Sequence, residues 1–176
     1  MASSQVDRHI TSKKMATVLF CAVAIIWLLV DRISKLACNG HAPGDVMLSN
    51  VLGLFEFKLA HNTGAAWSIM SNSTVLLGVF SVVVCAALAG YLFIARKGRA
   101  HIFEVLGLAL VFAGGLGNAY DRFFYGHVVD FIHTTFMDFP VFNVADIGVT
   151  CGVVLFIAGS MIYLNESDEE GEDADA

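Results

Sequence analysis

Four apolar runs, each near the length that crosses a lipid bilayer, constrain this chain more than any other feature. A spanning helix needs roughly 17–25 mostly apolar residues, because hydrocarbon offers its backbone no hydrogen-bond partner. The runs cover residues 15–30, 75–95, 102–120 and 144–164. The first is the shortest, and Lys13 and Lys14 ahead of it can stretch back to the interface. Glu104 falls at the start of the third, near an interface where a charge is cheaper. Only 15% of the residues are charged, against about 25% in a soluble domain. The expected fold class is an α-helical integral membrane protein with four transmembrane helices.

The net charge of −6 says little about the body of the chain. The closing stretch "ESDEEGEDADA" holds seven of the sixteen acidic groups, and the remaining nine face ten basic ones. Three parts follow: 1–14 as a cytoplasmic N-terminal segment, 15–164 as a four-span domain, and 165–176 as an acidic, disordered tail. No basic patch is interleaved with aromatics, so no nucleic-acid partner is expected. Cys21, Cys38, Cys85 and Cys151 have no CxxC spacing, and those inside apolar runs act as small hydrophobes.

Lys and Arg placement sets the orientation. "RKGR" after the second run brings Arg96, Lys97 and Arg99, and the N-terminus brings Arg8, Lys13 and Lys14. Both ends of the chain then lie in the cytoplasm, and residues 31–74 and 121–143 lie outside. Small residues at helix-contact spacing (Ala109, Ala113 and Gly117; Gly148 and Gly152) point to a tight bundle. In "LFEFKLAHN", Phe55, Phe57 and Leu59 alternate with Glu56, Lys58 and Ala60, which predicts a strand with one apolar face. A small extracytoplasmic sheet at the membrane surface is expected there.

The polar side chains collect at the outer end. They include Asp31 and Lys35 after the first run and "HNTGAAW" (Asn62, Gly64, Trp67) after the strand. "GNAYDR" (Asn118, Asp121, Arg122), "VVDFI" (Asp130) and "FNVAD" (Asn143, Asp146) complete the group. An ionisable group at membrane depth costs about 2.5–3.5 kcal/mol on insertion scales, so packing alone does not call for so many at one level. Two carboxylates in a poorly hydrated place cannot both ionise easily and come to share a proton. Asp130 and Asp146 would form such a pair if a turn through "HTT" and Pro140 brings them together. The ionised member can then take a proton from a water attacking a peptide carbonyl while the other donates to the carbonyl oxygen.

Simpler roles stand beside this one. Asp146 can cap the fourth helix, with Asp130 an ordinary loop acid. Asp31 and Lys35 are spaced for an i,i+4 bridge. Asp121 and Arg122 read as an ion pair, and Trp67 as an interfacial anchor. His61, His127 and His133 fit no standard metal site, and no cofactor is expected.

Taken together, "DRISK", "HNTGAAWS", "GGLGNAYDR", "VVDFI" and "FNVAD", in that order between residues 20 and 160, resemble lipoprotein signal peptidase, the bacterial signal peptidase II. The resemblance implies a membrane-embedded aspartic endopeptidase of the inner membrane. It removes signal peptides from prolipoproteins just before a cysteine that already carries diacylglycerol. It implies Asp130 and Asp146 as the catalytic pair. Asn62, Asn118, Asp121, Arg122 and Asn143 fall on the family's supporting polar positions, with Gly64, Asp31 and Lys35 as structural support. Implied partners are lipid-modified prolipoproteins, membrane lipids and the family's cyclic-peptide inhibitor. The chain departs from the family pattern at Arg32 (usually Gln), Ile147 (usually Ser) and Trp67 (commonly Phe).

A proton-coupled transporter would spread its acids through the bilayer depth, and a metal-dependent hydrolase would need a motif such as HExxH. A noncatalytic scaffold would work without either aspartate.

Overall fold

The computed structural model describes residues 11–38, 40–64, 73–96 and 100–175. Arg8, Trp67, Lys97 and Arg99 lie outside the described residues. The elements run α1 (Lys13–Leu36), β1 (Val46–Val51), β2 (Phe55–Asn62), α2 (Thr74–Gly90), α3 (Ile102–Phe124), β3 (Val128–Thr134) and α4 (Val144–Asp175). A π-helical turn, Tyr91–Ala95, prolongs α2. Among the described residues, four helices are long and apolar enough to cross a membrane: Lys13–Leu36, Thr74–Ala95, Ile102–Phe124 and Val144–Asn165.

The helices run past the ends expected from hydropathy for a physical reason. Hydropathy breaks at the first charge, but backbone hydrogen bonding does not. α1 opens at Ser12, whose hydroxyl accepts from Met15 N, and continues through Asp31 and Lys35 because both face the bundle, fully buried. α4 likewise continues beyond Leu164 through the acidic stretch to Asp175, where a disordered appendage is expected. A nucleated helix propagates at little cost through good formers such as Glu and Ala.

α3 is the central helix: about half of it is buried, while the other three leave most of their apolar surface outward. Ala109 and Ala113 pack with Ala16, Phe20 and Ala24 of α1 in the main core. The contact between α3 and α4 is backbone against backbone. A Cβ added at Gly107 would lie 2.4 Å from Phe156 N, and one at Gly114 would lie 2.3 Å from Ala145 O. The small residues thus serve two partners, since Gly117 and Gly148 abut side chains of α1 instead. The outward faces, including Ile25, Ile26, Val79, Phe80 and Val154, stay exposed and apolar, as a lipid-facing surface requires.

Glu104 sits in the first turn of α3, as expected, but faces the bundle rather than the surface. It is fully buried, accepting from Tyr91 Oη at 2.8 Å and Arg96 Nη2 at 2.9 Å. The Arg96 guanidinium lies 3.6 Å above the Tyr163 ring. This cluster ties α2, α3 and α4 together at the end away from the sheet. Glu104→Ala strands Arg96 and should cost on the order of 2–4 kcal/mol. The measurement is unfolding in detergent, with the activity of the folded fraction unchanged.

The sheet is antiparallel in the order β1-β2-β3. The expected strand is β2, and its apolar face meets β3, with Phe57 edge-on to Phe131 at 6.0 Å. Leu59, Phe131 and Cys38 form a small second core. Asp130, expected as a loop acid, lies instead on the strand β3, whose burial depends on β2 lying beside it. Ala60 is opposite Asp130, with an irregularity in the register between Phe57 and Ala60.

Candidate active site

Polar groups from β2, β3, α3 and the start of α4 converge on one cavity. α4 begins with a reciprocal cap. Asn143 Oδ1 accepts from Asp146 N at 3.0 Å, and Asp146 Oδ2 accepts from Asn143 N at 3.0 Å. Two otherwise unpaired donors at the helix start are satisfied together. The capping role expected of Asp146 is therefore real, but it occupies only one carboxylate oxygen. The other, Oδ1, accepts from Asn118 Nδ2 of α3 at 2.8 Å.

Asn143 also joins the two acids. Its amide Nδ2 donates to Asp130 Oδ1 at 2.6 Å and to Asn118 Oδ1 at 3.1 Å. Asp130, on β3 and 2% exposed, shares a cavity of about 260 Å³ with Asp146. Asn62, Asn118 and Arg122 line the same space. A water in liquid occupies about 30 Å³, so the cavity has room for solvent or a small side chain. Burial first, and then the nearby Asp146 carboxylate, lift the Asp130 pKa to about 7 against the opposing hydrogen bonds from Asn62 and Asn143.

The supporting residues sort into two sets. Asn62 Oδ1 accepts from Gly64 N at 2.9 Å, a local turn at the end of β2. Arg122 Nη2 donates to Gly64 O at 3.1 Å, fastening that turn to α3. Behind the cavity, Lys35 Nζ donates to Asn118 Oδ1 at 2.9 Å. It also lies 3.0 Å from Asp31 and 2.9 Å from Asp121. The expected Asp31–Lys35 bridge is present and buried.

The expected Asp121–Arg122 ion pair is not formed. Consecutive helix residues point about 100° apart. Arg122 is turned to the cavity, while Asp121 faces α1 and pairs with Lys35 and Arg32. Arg32, which stands where the signal peptidase II pattern carries Gln, also lies 4.5 Å over the Tyr120 ring. The histidines lie apart from the cavity: His61 stacks on His127 at 3.8 Å, and His133 pairs with Glu56 at 2.9 Å.

Several lining residues carried no signal of their own. Val128, Phe139 and Phe142 enter through the β3 pairing and the turn after it. Thr150 was detectable in principle, because it lies one helical turn after Asp146 on the same face.

The family model described as "Signal peptidase (SPase) II" matches residues 23–162. The lipoprotein signal peptidase of Pseudomonas putida is 35% identical over 158 residues, covering 86% of this chain and 91% of the relative. That of Lactiplantibacillus plantarum is 34% identical over 141 residues, covering 80% and 93%. A solved bacterial membrane enzyme superposes with a TM-score of 0.73 at 31% identity, over 85% of this chain and 90% of that one. A match across four-fifths of the sequence, from the first span to the fourth, leaves one assignment: the chain belongs to the signal peptidase II family, whose members remove signal peptides from prolipoproteins.

Proposed function

We propose that the chain is an aspartic endopeptidase in which Asp130 and Asp146 hydrolyse the peptide bond before the diacylglyceryl-modified cysteine of a prolipoprotein. The observation that carries this reading is the double grip of Asn143. Its amide holds Asp130 and its backbone N–H holds Asp146, so one residue bridges a buried and a half-buried carboxylate. Two acids held so close resist double ionisation, and a shared proton leaves one as base and one as acid. The base takes a proton from water as it attacks the scissile carbonyl, and the acid protonates the carbonyl oxygen. Collapse of the tetrahedral intermediate needs a proton on the leaving nitrogen, which the former base now carries. Asn62 and Arg122, which line the same cavity, would hold the substrate backbone.

The lipid anchor of the substrate reaches the pair laterally, in the plane of the membrane. With Lys13, Lys14 and Arg96 at the end opposite the sheet, the reading is an inner-membrane protein with cytoplasmic termini and its site near the outer face. Membrane lipids and the family's cyclic-peptide inhibitor are the further partners. The test offers purified protein a lipidated and an unlipidated precursor, with and without chelator. Cleavage of the lipidated precursor alone, at equal rates with chelator and blocked by the inhibitor, supports the reading. Chelator-sensitive cleavage, or cleavage undisturbed in the aspartate variants, would overturn it.

The raised Asp130 pKa gives a pH prediction. A folded-state value of about 7 against 3.8 for the ordinary carboxylate means the folded protein binds the extra proton between those limits. Stability should therefore fall as pH rises from about 4 to about 7. Unfolding measured across that range should show the slope, and Asp130→Asn should flatten it.

A further inference from the structure

We infer that Trp27 of α1 is a positioning residue for Asp146, acting through the first turn of α4 at a place that Gly148 leaves open. This rests on the reading of Asp130 and Asp146 as the catalytic pair.

Each of the first three residues of α4 has one backbone group held by a side chain. Trp27 Nε1 donates to Val144 O at 3.1 Å. Asp31 Oδ1 accepts from Ala145 N at 3.0 Å. Asn143 Oδ1 accepts from Asp146 N at 3.0 Å. Two of the three holds come from α1, one turn apart on that helix. Two bonds at successive residues fix both the rise of α4 and its rotation about its own axis.

The indole can reach the carbonyl only because residue 148 has no side chain. A Cβ there would lie 2.2 Å from Trp27 Nε1 and 2.8 Å from Cδ1. Trp27 also packs against the main core of α1 and α3, which gives the indole a rigid base. A partly buried indole N–H needs a hydrogen-bond partner, and Val144 O supplies it.

The consequence falls on Asp146, two residues beyond Val144. Its oxygens are met by Asn143 N and Asn118 Nδ2, and both contacts require the first turn at its present height. Displacement of a reacting group by about 1 Å can cost on the order of 100-fold in rate. Loss of one hold out of three should misplace the carboxylate less than that.

The experiment replaces Trp27 in the full chain by 3-benzothienylalanine, which keeps the ring shape and lacks the N–H. Cleavage of a lipidated precursor is followed in lipid nanodiscs across pH, normalised to folded protein. The expected result is a fall in kcat of about tenfold, KM within about twofold, and a displaced pH profile. Trp27→Phe should behave alike. Gly148→Ala, which clashes with the indole, should lose more, and Gly148→Ala with Trp27→Leu should fold well yet keep the reduced kcat. Wild-type kcat and pH profile in the benzothienyl protein overturn the inference. So does a smaller folded fraction with unchanged kcat per folded molecule. Asp130→Asn in the same assay separates the two readings: its inactivity upholds the pair whatever Trp27 does, and its activity removes the ground for both.

Discussion

Asp130→Asn and Asp146→Asn should each lower cleavage of a lipidated precursor by roughly ten-thousand-fold, the scale on which an essential acid or base acts. The folded state should survive both changes. An amide at position 130 can still meet Asn143 and Asn62, and it removes a carboxylate that burial and Asp146 drive toward its neutral form. Asp130→Asn should therefore be at least as stable as the parent above about pH 7, because there the parent must hold a buried charge. At position 146 an amide oxygen can still accept from Asn118 or from Asn143 N, though not from both oxygens at once. The measurements are turnover of the purified variants and their unfolding in detergent. Substantial turnover by either folded variant would remove the aspartic mechanism while leaving the family assignment intact.

Lys35→Met should be the most damaging single change to stability at the outer end. The ammonium is 1% exposed, lies 3.0 Å from Asp31 and 2.9 Å from Asp121, and donates to Asn118. Asp121 would retain Arg32, but Asp31 would be left buried without a cation. Breaking a buried pair from one side costs about 3–5 kcal/mol, because the stranded charge has already lost its water. Activity should fall as well, since Asn118 Oδ1 then loses one of the two donors that orient it toward Asp146. Adding Asp31→Asn to Lys35→Met should recover part of the stability by removing the unpaired charge. Denaturation of the single and double variants checks the claim, and a single variant as stable as the parent would contradict it.

What was legible in the sequence was local. Asp31 and Lys35 are one turn apart on one helix, and their bridge follows from helix geometry alone. Asp146 stands at the start of a helix, and its capping bond is equally local. Phe55, Phe57 and Leu59 alternate, and β2 results. Neighbours in sequence misled at Asp121 and Arg122, because a helix sends consecutive side chains to different partners. β3 stayed hidden, since "VVDFIH" becomes a strand only beside β2.

By itself the sequence determined the solvent this protein lives in and the four helices that cross it. Hydrocarbon admits only a backbone that satisfies itself, and the length and apolarity of each run decide that without reference to any other part. The order of its polar motifs further carried the family. Tertiary structure alone decided which polar groups of different elements meet. The grip of Asn143 on both Asp130 and Asp146, the turn of Asp121 toward α1 and the hold of Trp27 on Val144 join residues far apart in the chain. Such contacts exist only when helices and sheet pack at one register, and no periodicity within a single segment encodes that register.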